Sequence, residues 1–304
     1  MLRFSLTAAF LVFIIGFTPV SSAAASNFTV KELQLPGKKG ACFTLRKSEA
    51  KAGVSVDENM PKVKALNVSW NYSWGTGLMD EQPPDIEFVP MIWGGGNAAK
   101  LAKRIKKMRP DIRSGRVKKL LGFNEPDGKN QANMTVAQAL ELWPILETAG
   151  VPLASPGAVH ADRTWMLDFM QGVRDKGYRV DYIAVHSYSG INARHFRQRM
   201  RKIYELHGKR PLLITEFAVA DWKTGGDISK NRYSPAQVLA FMQEVLPWME
   251  KQDWIIGYAW FSFRVDSPQG YSSALFDRQG KLSALGRYYR SVTPENPEGD
   301  QTAK

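Results

Sequence analysis

Two glutamates, Glu125 and Glu216, each come at the end of an apolar run that has the composition of a buried strand. Residues 121–124 precede the first, and residues 213–215 precede the second. A carboxyl group that is partly withdrawn from water keeps its proton to a higher pH, so one such group can be an acid while another is ionised. Two carboxyl groups in these states, on opposite sides of a bond, are what glycosidic cleavage requires. Each glutamate alone could equally belong to a salt bridge, but the pair favours catalysis.

Aromatic residues at or just after predicted strand ends fit a cleft that binds sugars. Indole and phenol rings offer a large apolar face together with a polar edge, which suits the C–H faces and hydroxyl groups of a pyranose. For each tryptophan, a place in the core is an equal alternative. The candidate residues are Trp74, Trp93, Tyr188, Trp222 and Trp260.

His186 ends another apolar run and adds a titratable group near the predicted site. It could hydrogen-bond the substrate or Glu216, or it could be held structurally at the rim of the fold. The four histidines of the chain lack the spacing of a zinc motif, and the glycines at 94–96 lack the lysine and hydroxyl of a phosphate loop. We therefore expect no metal and no cofactor.

The elements that must position these residues alternate along the chain. Eight short apolar runs predict strands, and segments with helical periodicity lie between most of them. This alternation implies a parallel sheet, and eight strands imply closure into a (β/α)8 barrel of the α/β class. The predicted strands lie near residues 41–46, 66–70, 86–93, 119–124, 152–156, 180–186, 211–217 and 255–263. The predicted helices cover residues 97–108, 135–149, 163–176, 192–207, 234–250 and 282–290.

The catalytic residues of such a barrel come from the C-terminal ends of its strands. Glu125 follows the fourth predicted strand and Glu216 lies at the end of the seventh, so they should face each other across the barrel mouth. One departure from the ideal barrel is expected. Residues 71–85, between the second and third strands, contain two prolines and no helical period, so the helix there should be reduced or missing.

The N-terminus has the features of a secretory signal peptide. Arg3 precedes an apolar run over residues 4–17, and the alanines at 23–25 offer a cleavage site. The run is short for a bilayer span, although an uncleaved anchor is the alternative. We therefore expect a signal peptide over residues 1–25, one catalytic domain over residues 26–293 and a loose tail over residues 294–304. The mature protein should be secreted, whether to periplasm, cell wall or medium, and monomeric.

The formal net charge of the chain is +12, and much of it lies between Lys100 and Lys119. Apolar Leu101, Ile105 and Met108 recur there at helical spacing, so the simplest interpretation is the solvated face of an amphipathic helix. A polyanion site is the alternative, and the charge could help the protein adhere to an anionic cell wall. We expect no nucleic-acid partner.

Six segments, in order along the chain, carry a family resemblance. They are WNYSW at 70–74, PMIWG at 90–94, LLGFNEPD at 120–127, LASP at 153–156, VDYIAVHSY at 180–188 and ITEFA at 214–218. The Asn-Glu-Pro motif with Glu216 resembles the clan of retaining barrel glycosidases. The ordered set resembles glycoside hydrolase family 128, the endo-β-1,3-glucanases with an alkali-sensitive-linkage-type catalytic core. The resemblance covers residues 40–290.

This resemblance implies roles for three residues. Glu125 matches the acid/base, Glu216 matches the nucleophile, and Asn124 would hydrogen-bond the sugar 2-hydroxyl. It also implies a retaining mechanism, with carboxyl groups about 5 Å apart, and β-1,3-glucan as the polymer that is cleaved, internally rather than from an end. Two alternatives stay open: a glycosidase acting on another β-glucan or on β-mannan, and a carbohydrate-binding protein without turnover.

Overall fold

The computed structural model describes residues 28–44, 56–79 and 82–302. The predicted signal peptide lies outside the described residues. Among the described helices, none combines the length and the apolar character that a membrane crossing needs.

Six strands form one sheet in which every neighbouring pair is parallel. The order across the sheet is β3-β2-β1-β6-β5-β4 when the strands are numbered along the chain. They are β1 (Lys39–Cys42), β2 (Trp70–Tyr72), β3 (Glu87–Phe88), β4 (Ile183–Ser189), β5 (Leu212–Val219) and β6 (Ile255–Trp260).

Isolated parallel bridges connect the two edge strands of this sheet through two short extended segments. Residues 120–124 and 153–158 occupy the places of the fourth and fifth predicted strands, so parallel segments follow one another from β3 round to β4. The predicted α/β barrel class is confirmed. The bridges pair Met91 with Leu121, Leu120 with Leu153, Ala154 with Tyr182, Asn124 with Gly157 and Ala158 with Val185.

Prolines explain why the fifth segment forms bridges rather than a full ladder. Pro152 and Pro156 have no N–H group to donate, and this limits proline to the ends and irregular parts of sheets. The carbonyl of Pro152 still accepts from the N–H of Leu120 at 2.9 Å, so the segment stays in register with its neighbour.

The helices follow most of the strands. All six predicted helices are present, and a capping box formed by Thr135 and Gln138 opens α4. The described residues between β2 and β3 contain no helix, as the sequence predicts, whereas α2 was not predicted. The helices are α1 (Val30–Leu33), α2 (Val56–Ala65), α3 (Ala98–Arg113), α4 (Val136–Glu147), α5 (Thr164–Lys176), α6 (Ala193–Leu206), α7 (Pro235–Glu250) and α8 (Ala284–Ser291), with 3-10 turns at Ile228–Lys230 and Tyr271–Ser273.

Alternate residues of the strands enter two different buried layers. Leu121, Ala184 and Leu213 pack with Trp70 and Tyr182 in a cluster to which all eight extended segments contribute, which places that cluster inside the barrel. Their chain neighbours at 120, 183, 185, 212 and 214 pack against the helices. This period of two is that of extended chain, and it fills the barrel interior with side chains. Within the described residues, the strands themselves can therefore border an open cleft at an end of the barrel but not in its middle.

Gly122 lies where the segment leading to Glu125 passes closest to its neighbour, and this predicts a stability effect. A Cβ atom at Gly122 would lie 2.9 Å from the carbonyl oxygen of Ala154 and 3.0 Å from the nitrogen of Pro156, so two backbones would have to separate. Gly122→Ala should lower the free energy of unfolding by about 1–3 kcal/mol, measured by urea denaturation. Gly77→Ala is the control, since a Cβ there meets no described atom within 4 Å. Equal stability of the two variants would contradict the prediction.

Candidate active site

Glu125 follows the fourth extended segment, and Glu216 lies within β5, three residues before that strand ends at Val219. The two glutamates meet with His186 of β4 between them. One carboxylate oxygen of each glutamate and a ring nitrogen of His186 all lie within 4.8 Å of one another, and the three residues are buried. Nδ1 of His186 is 2.9 Å from Oε1 of Glu125 and 3.6 Å from Oε2 of Glu216. A single imidazole is therefore shared by the two carboxylates.

The charge state of His186 is set by opposing effects. Its side chain is fully buried, and burial lowers the pKa because an imidazolium loses hydration. The charge of Glu216 and the hydrogen bond and charge of Glu125 outweigh burial, and the net pKa lies above the ordinary value of 6.5. A positive charge thus stays beside the carboxylates to a higher pH than a free histidine would allow. The sequence suggests the substrate or Glu216 as partner of His186; Nδ1 lies 3.6 Å from Glu216, and a contact with substrate stays a prediction.

Three neutral donors surround the carboxylate of Glu216. The hydroxyl of Tyr72 donates to Oε1 at 2.9 Å, the indole N–H of Trp74 donates to Oε1 at 2.7 Å, and the hydroxyl of Tyr188 donates to Oε2. Burial, followed by the charge of Glu216, raises the pKa of both tyrosines well above 10, so both hydroxyls remain donors. These contacts stabilise a negative charge on Glu216 and fix the direction of its oxygens.

The backbone of Glu125 is held in a conformation that few non-glycine residues adopt. Its φ is +42°, in the left-handed region. Its N–H donates to the carbonyl of Gly157 at 2.8 Å, and its carbonyl accepts from the N–H of Gly128 at 2.9 Å. The carboxylate of Asp127 accepts from the N–H groups of residues 159–160 at 2.8 and 3.1 Å. Strain of this kind persists only where surrounding contacts over-determine it, and these contacts aim Glu125 at the cleft.

A cleft of about 1000 Å³ opens over the two glutamates. A second cavity of about 870 Å³ shares Trp74 and Trp93 with it, so the groove continues past the glutamates. Four of the predicted aromatic residues line the cleft: Trp74, Trp93, Tyr188 and Trp222.

Trp260 is a core residue, and this corrects its prediction as a sugar contact. It is 1% exposed and packs against Phe217 and Phe241. Its indole N–H donates to the carbonyl of Ser273 at 2.9 Å, away from the cleft. The next residue along the chain, Phe261, lines the cleft instead.

Asn124 lies beside Glu125 in the cleft wall and is almost fully buried. Its amide nitrogen donates to Gln131 at 3.3 Å. Its amide oxygen has no hydrogen-bond partner among the described residues, so it has a free acceptor for a ligand hydroxyl. An unpaired buried acceptor is costly, and such an atom in a cleft points to a ligand group that pairs with it.

Sequence reasoning missed Tyr72, Gln131, Phe261 and Phe263 as residues of the site. The aromatic pair at 261 and 263 contacts Tyr188, with ring centroids 5.5 and 5.9 Å away. The signal for Tyr72 was its place at the C-terminal end of β2, because the residues at the C-terminal ends of barrel strands surround the site.

The loop that carries Trp222 is closed by an ion pair between the buried carboxylate of Asp221 and the exposed side chain of Arg232. Trp222 is 61% exposed at the cleft, while Asp221 beside it is 1% exposed. The carboxylate of Asp221 accepts from Nε and Nη2 of Arg232, both at 2.8 Å, and from the Arg232 backbone N–H at 3.0 Å. These contacts, with the Arg232 hydrogen bonds first, hold the pKa of Asp221 far below its usual range. Both ends of the loop are thereby tied together.

The atoms of Glu125, His186 and Glu216 are of the kinds that bind zinc. However, both oxygens of Glu216 already accept hydrogen bonds, and the imidazole lies at hydrogen-bond distance from Glu125. The oxygens of Glu216 and Nδ1 of His186 are therefore already engaged in hydrogen bonds within the protein.

Known proteins are similar to most of this chain. The family model described as glycosyl hydrolase catalytic core matches residues 41–289. A comparison with curated protein sequences finds no match.

Solved structures give closer similarities. One is an endo-β-1,3-glucanase of glycoside hydrolase family 128, subgroup I, from Amycolatopsis mediterranei, which was solved with laminaritriose. Its sequence identity to this chain is 27% and the TM-score is 0.69, and the match covers 84% of this chain and 98% of that chain. A subgroup II endo-β-1,3-glucanase from Sorangium cellulosum has 28% sequence identity and a TM-score of 0.64, and the match covers 84% of this chain and 98% of that chain. A subgroup VI exo-β-1,3-glucanase from Aureobasidium namibiae is 19% identical, with a TM-score of 0.62 over 86% and 98%, and shares the fold. The Amycolatopsis enzyme was also solved with laminari-oligosaccharides after substitution of either of two glutamates.

The raised pKa of His186 predicts a pH-dependent stability. Below the unfolded pKa of about 6.5 the imidazolium is present in both states, and its attraction to the two carboxylates contributes fully. As the pH rises from there through the folded pKa, the native state holds more protons than the unfolded state, so the contribution is lost. Urea unfolding at several pH values should show this fall for the wild type but not for His186→Gln. The exposed-histidine variant His195→Gln should follow the wild type, and parallel curves for wild type and His186→Gln would contradict the prediction.

The ion pair of Asp221 predicts that Arg232 orders the loop carrying Trp222. Arg232→Gln leaves a buried carboxylate without its two guanidinium donors, so the loop should open more often and be cut faster in limited proteolysis. Arg264→Gln is the matched control, because Arg264 makes the same two-bond pair with Asp266 but is 83% exposed. A Trp222 loop that is equally resistant in both variants would show that the pair does not order it.

Proposed function

Because the chain belongs to the glycosyl hydrolase catalytic core family, we propose that it hydrolyses β-1,3-glucan with retention at the anomeric carbon. Glu216 is the nucleophile and Glu125 is the acid/base in this proposal. The resemblance to family 128 in the sequence and the solved structures of that family agree with each other. The observation that carries the proposal is the pair of glutamates, whose nearest oxygens and shared imidazole fall within 4.8 Å in a cleft. Retaining enzymes have carboxyl groups about 5–5.5 Å apart, while inverting enzymes leave room for a water between them.

The surroundings of the two glutamates support different roles. Glu216 accepts from three neutral donors, which suits a carboxylate that must be ionised and aimed at carbon. Glu125 has His186 as its hydrogen-bond partner and otherwise faces the cleft, which suits a group that exchanges a proton with the leaving oxygen.

The reaction follows in two balanced steps. In the first, a Glu216 oxygen bonds the anomeric carbon as the glycosidic C–O bond breaks, and the Glu125 proton passes to the leaving oxygen. In the second, Glu125 takes a proton from water, the water oxygen bonds the anomeric carbon, and the bond to Glu216 breaks. Negative charge thus moves from Glu216 to Glu125 and back. Because Nδ1 of His186 lies 2.9 and 3.6 Å from their oxygens, one imidazolium can stabilise the charge at either place.

The cleft walls support a neutral glucan as the ligand. Trp74, Trp93, Tyr188 and Trp222 offer ring faces to sugars, and the free amide oxygen of Asn124 offers an acceptor for the 2-hydroxyl beside Glu125. The continuation of the groove past Trp74 and Trp93 suits a chain that extends on both sides of the cleaved bond. Internal cleavage is therefore part of the proposal, as it is for the relatives named endo-β-1,3-glucanases.

We further propose that the enzyme is secreted and acts as a monomer. The support for secretion is the N-terminal sequence, with a basic residue, an apolar run and small residues at 23–25.

Release of reducing ends from linear β-1,3-glucan tests the function and the two roles together. The wild type should release them, while Glu216→Gln should lose activity at least about a thousandfold because the nucleophile is gone. Glu125→Gln should lose activity on glucan but keep much more of it on aryl glucosides with very good leaving groups, which need little protonation. Glu244→Gln, an exposed surface position, is the matched control and should retain full activity.

Mixed-linkage glucan and mannan, assayed in parallel, separate the proposed substrate from its alternatives. Activity confined to one of these two would replace β-1,3-glucan as the substrate. Binding without release on all three polymers would identify a carbohydrate-binding protein. Activity of Glu216→Gln within tenfold of the wild type would remove Glu216 from the nucleophile role.

A further inference from the structure

The positive charge of the protein is concentrated in one short segment. Residues 100–119 contain ten basic residues and a single acidic residue, a formal charge of +9 out of the +12 of the whole chain. The other residues together carry only +3. The charge is therefore a local feature of α3 and the turn after it rather than a general property of the surface.

Helix α3 turns this charge outward. Its buried residues are Leu101, Ile105 and Met108, and all seven of its basic residues are exposed. Six of them form two strips, in which neighbours are three or four positions apart and therefore adjacent on the helix surface. We call these six residues the basic face of α3: Lys100, Lys103 and Lys107 in one strip, and Lys106, Arg109 and Arg113 in the other.

The basic face has no acidic partners within the described parts of the chain. None of its six residues forms an ion pair, and Asp111, the only acidic residue of α3, is paired with Arg116. Like charges at these spacings destabilise a helix slightly, so the arrangement brings the fold no gain. Such a face is explained by an external partner of opposite charge.

The other residues of α3 indicate which kind of polyanion fits. Apart from its basic residues, the exposed positions of α3 are alanines and one proline, and the residue that caps its N-terminus is asparagine. The helix exposes no aromatic or long aliphatic side chain. A helix that lies in a membrane surface needs such apolar side chains, and single-stranded nucleic acid is usually bound by aromatic stacking. Lysines and arginines alone suit a hydrated polymer with regularly spaced negative charges.

The position of α3 relative to the cleft points to a polysaccharide. Asn97 and Ala98 at the start of the helix, and Arg104 on its side, line the second cavity. The guanidinium of Arg104 also donates to the carbonyl of Gly94 at 3.4 Å. That cavity shares Trp74 and Trp93 with the cleft over the glutamates, so the start of α3 and Arg104 border the end of the groove. Lys100 and Lys107 are four and three positions from Arg104 and therefore adjacent to it on the helix surface, so the basic face begins next to this border.

We propose that the basic face of α3 binds a linear polysaccharide bearing repeated carboxylates, and so docks the protein beside its substrate. This polymer is distinct from the neutral glucan in the cleft, and its binding does not depend on the two glutamates. At 1.5 Å per residue, the sixteen-residue helix spans about 24 Å, long enough to meet several successive sugars.

Binding of the full protein to polygalacturonate tests this proposal. The fourfold variant Lys100→Gln, Lys103→Gln, Lys106→Gln, Lys107→Gln should bind at least tenfold more weakly at low salt, with a shallower dependence on salt because fewer counterions are released. The control variant Lys176→Gln, Lys209→Gln, Lys230→Gln, Lys281→Gln removes the same charge from exposed positions elsewhere and should bind within twofold of the wild type. Equal thermal unfolding of the two variants verifies that α3 still folds.

Three results would overturn the proposal. Equal weakening in both variants would mean that net charge, and not the basic face, attracts the polymer. Absence of polygalacturonate binding by the wild type would exclude the named partner. Tighter binding to duplex DNA, or to vesicles of phosphatidylglycerol, than to polygalacturonate at equal charge would assign the face to another class of polyanion.

Discussion

Two carboxyl groups at the base of one cleft repel each other whenever both are ionised, and the rest of the site is arranged around that constraint. Water is largely excluded there, so the compensation must come from fixed groups. His186 supplies a positive charge to both glutamates, and Tyr72, Trp74 and Tyr188 supply neutral donors to Glu216. These groups and the two glutamates come from β2 and the residues after it, β4, β5 and the fourth extended segment. The relative positions of four parallel segments therefore determine whether the two carboxylates can lie this close.

The regular pairing of the strands is interrupted where the site begins. On β4 and β5, Ala184 pairs with Leu213 but His186 pairs with Glu216, so β5 holds one more residue than β4 in this interval. An extra residue of this kind bends a strand and redirects the side chains that follow. Glu125 lies in the left-handed region at the corresponding end of its segment. The deep barrel interior, filled by ordinary strand packing, supports these irregular ends.

The sequence predicts where the two glutamates lie. It does not predict whether an aromatic residue of a strand faces the core or the cleft. Glu125 and Glu216 follow apolar runs, and a carboxylate cannot be buried in such a run without partners, so the sequence favours the mouth of the barrel for both. Glu216 lies three residues inside the end of β5, where Tyr72, Trp74 and Tyr188 supply those partners. Trp260 lies in β6, which is buried on both faces and lacks the polar alternation that would distinguish inside from outside. A shift of one residue then exchanges core and cleft, which is why Trp260 packs in the core while Phe261 lines the cleft. The partnership of His186 with both glutamates depends on a register shift that no local pattern reveals.

Three different sets of residues in the barrel provide the core, the candidate chemistry and the charged surface. Inward-facing strand residues such as Leu121 and Leu213 hold the fold, and strand ends hold the candidate chemistry. On α3, stability depends on Leu101, Ile105 and Met108, which face the core, while the charged positions face outward. Because the outward positions take no part in packing, the charge on that face can become very high while the core stays unchanged. Twenty residues can therefore carry a charge of +9 while the rest of the chain carries only +3. Because this charge lies on a helix and not at the strand ends, the cleft itself stays suited to an uncharged polymer.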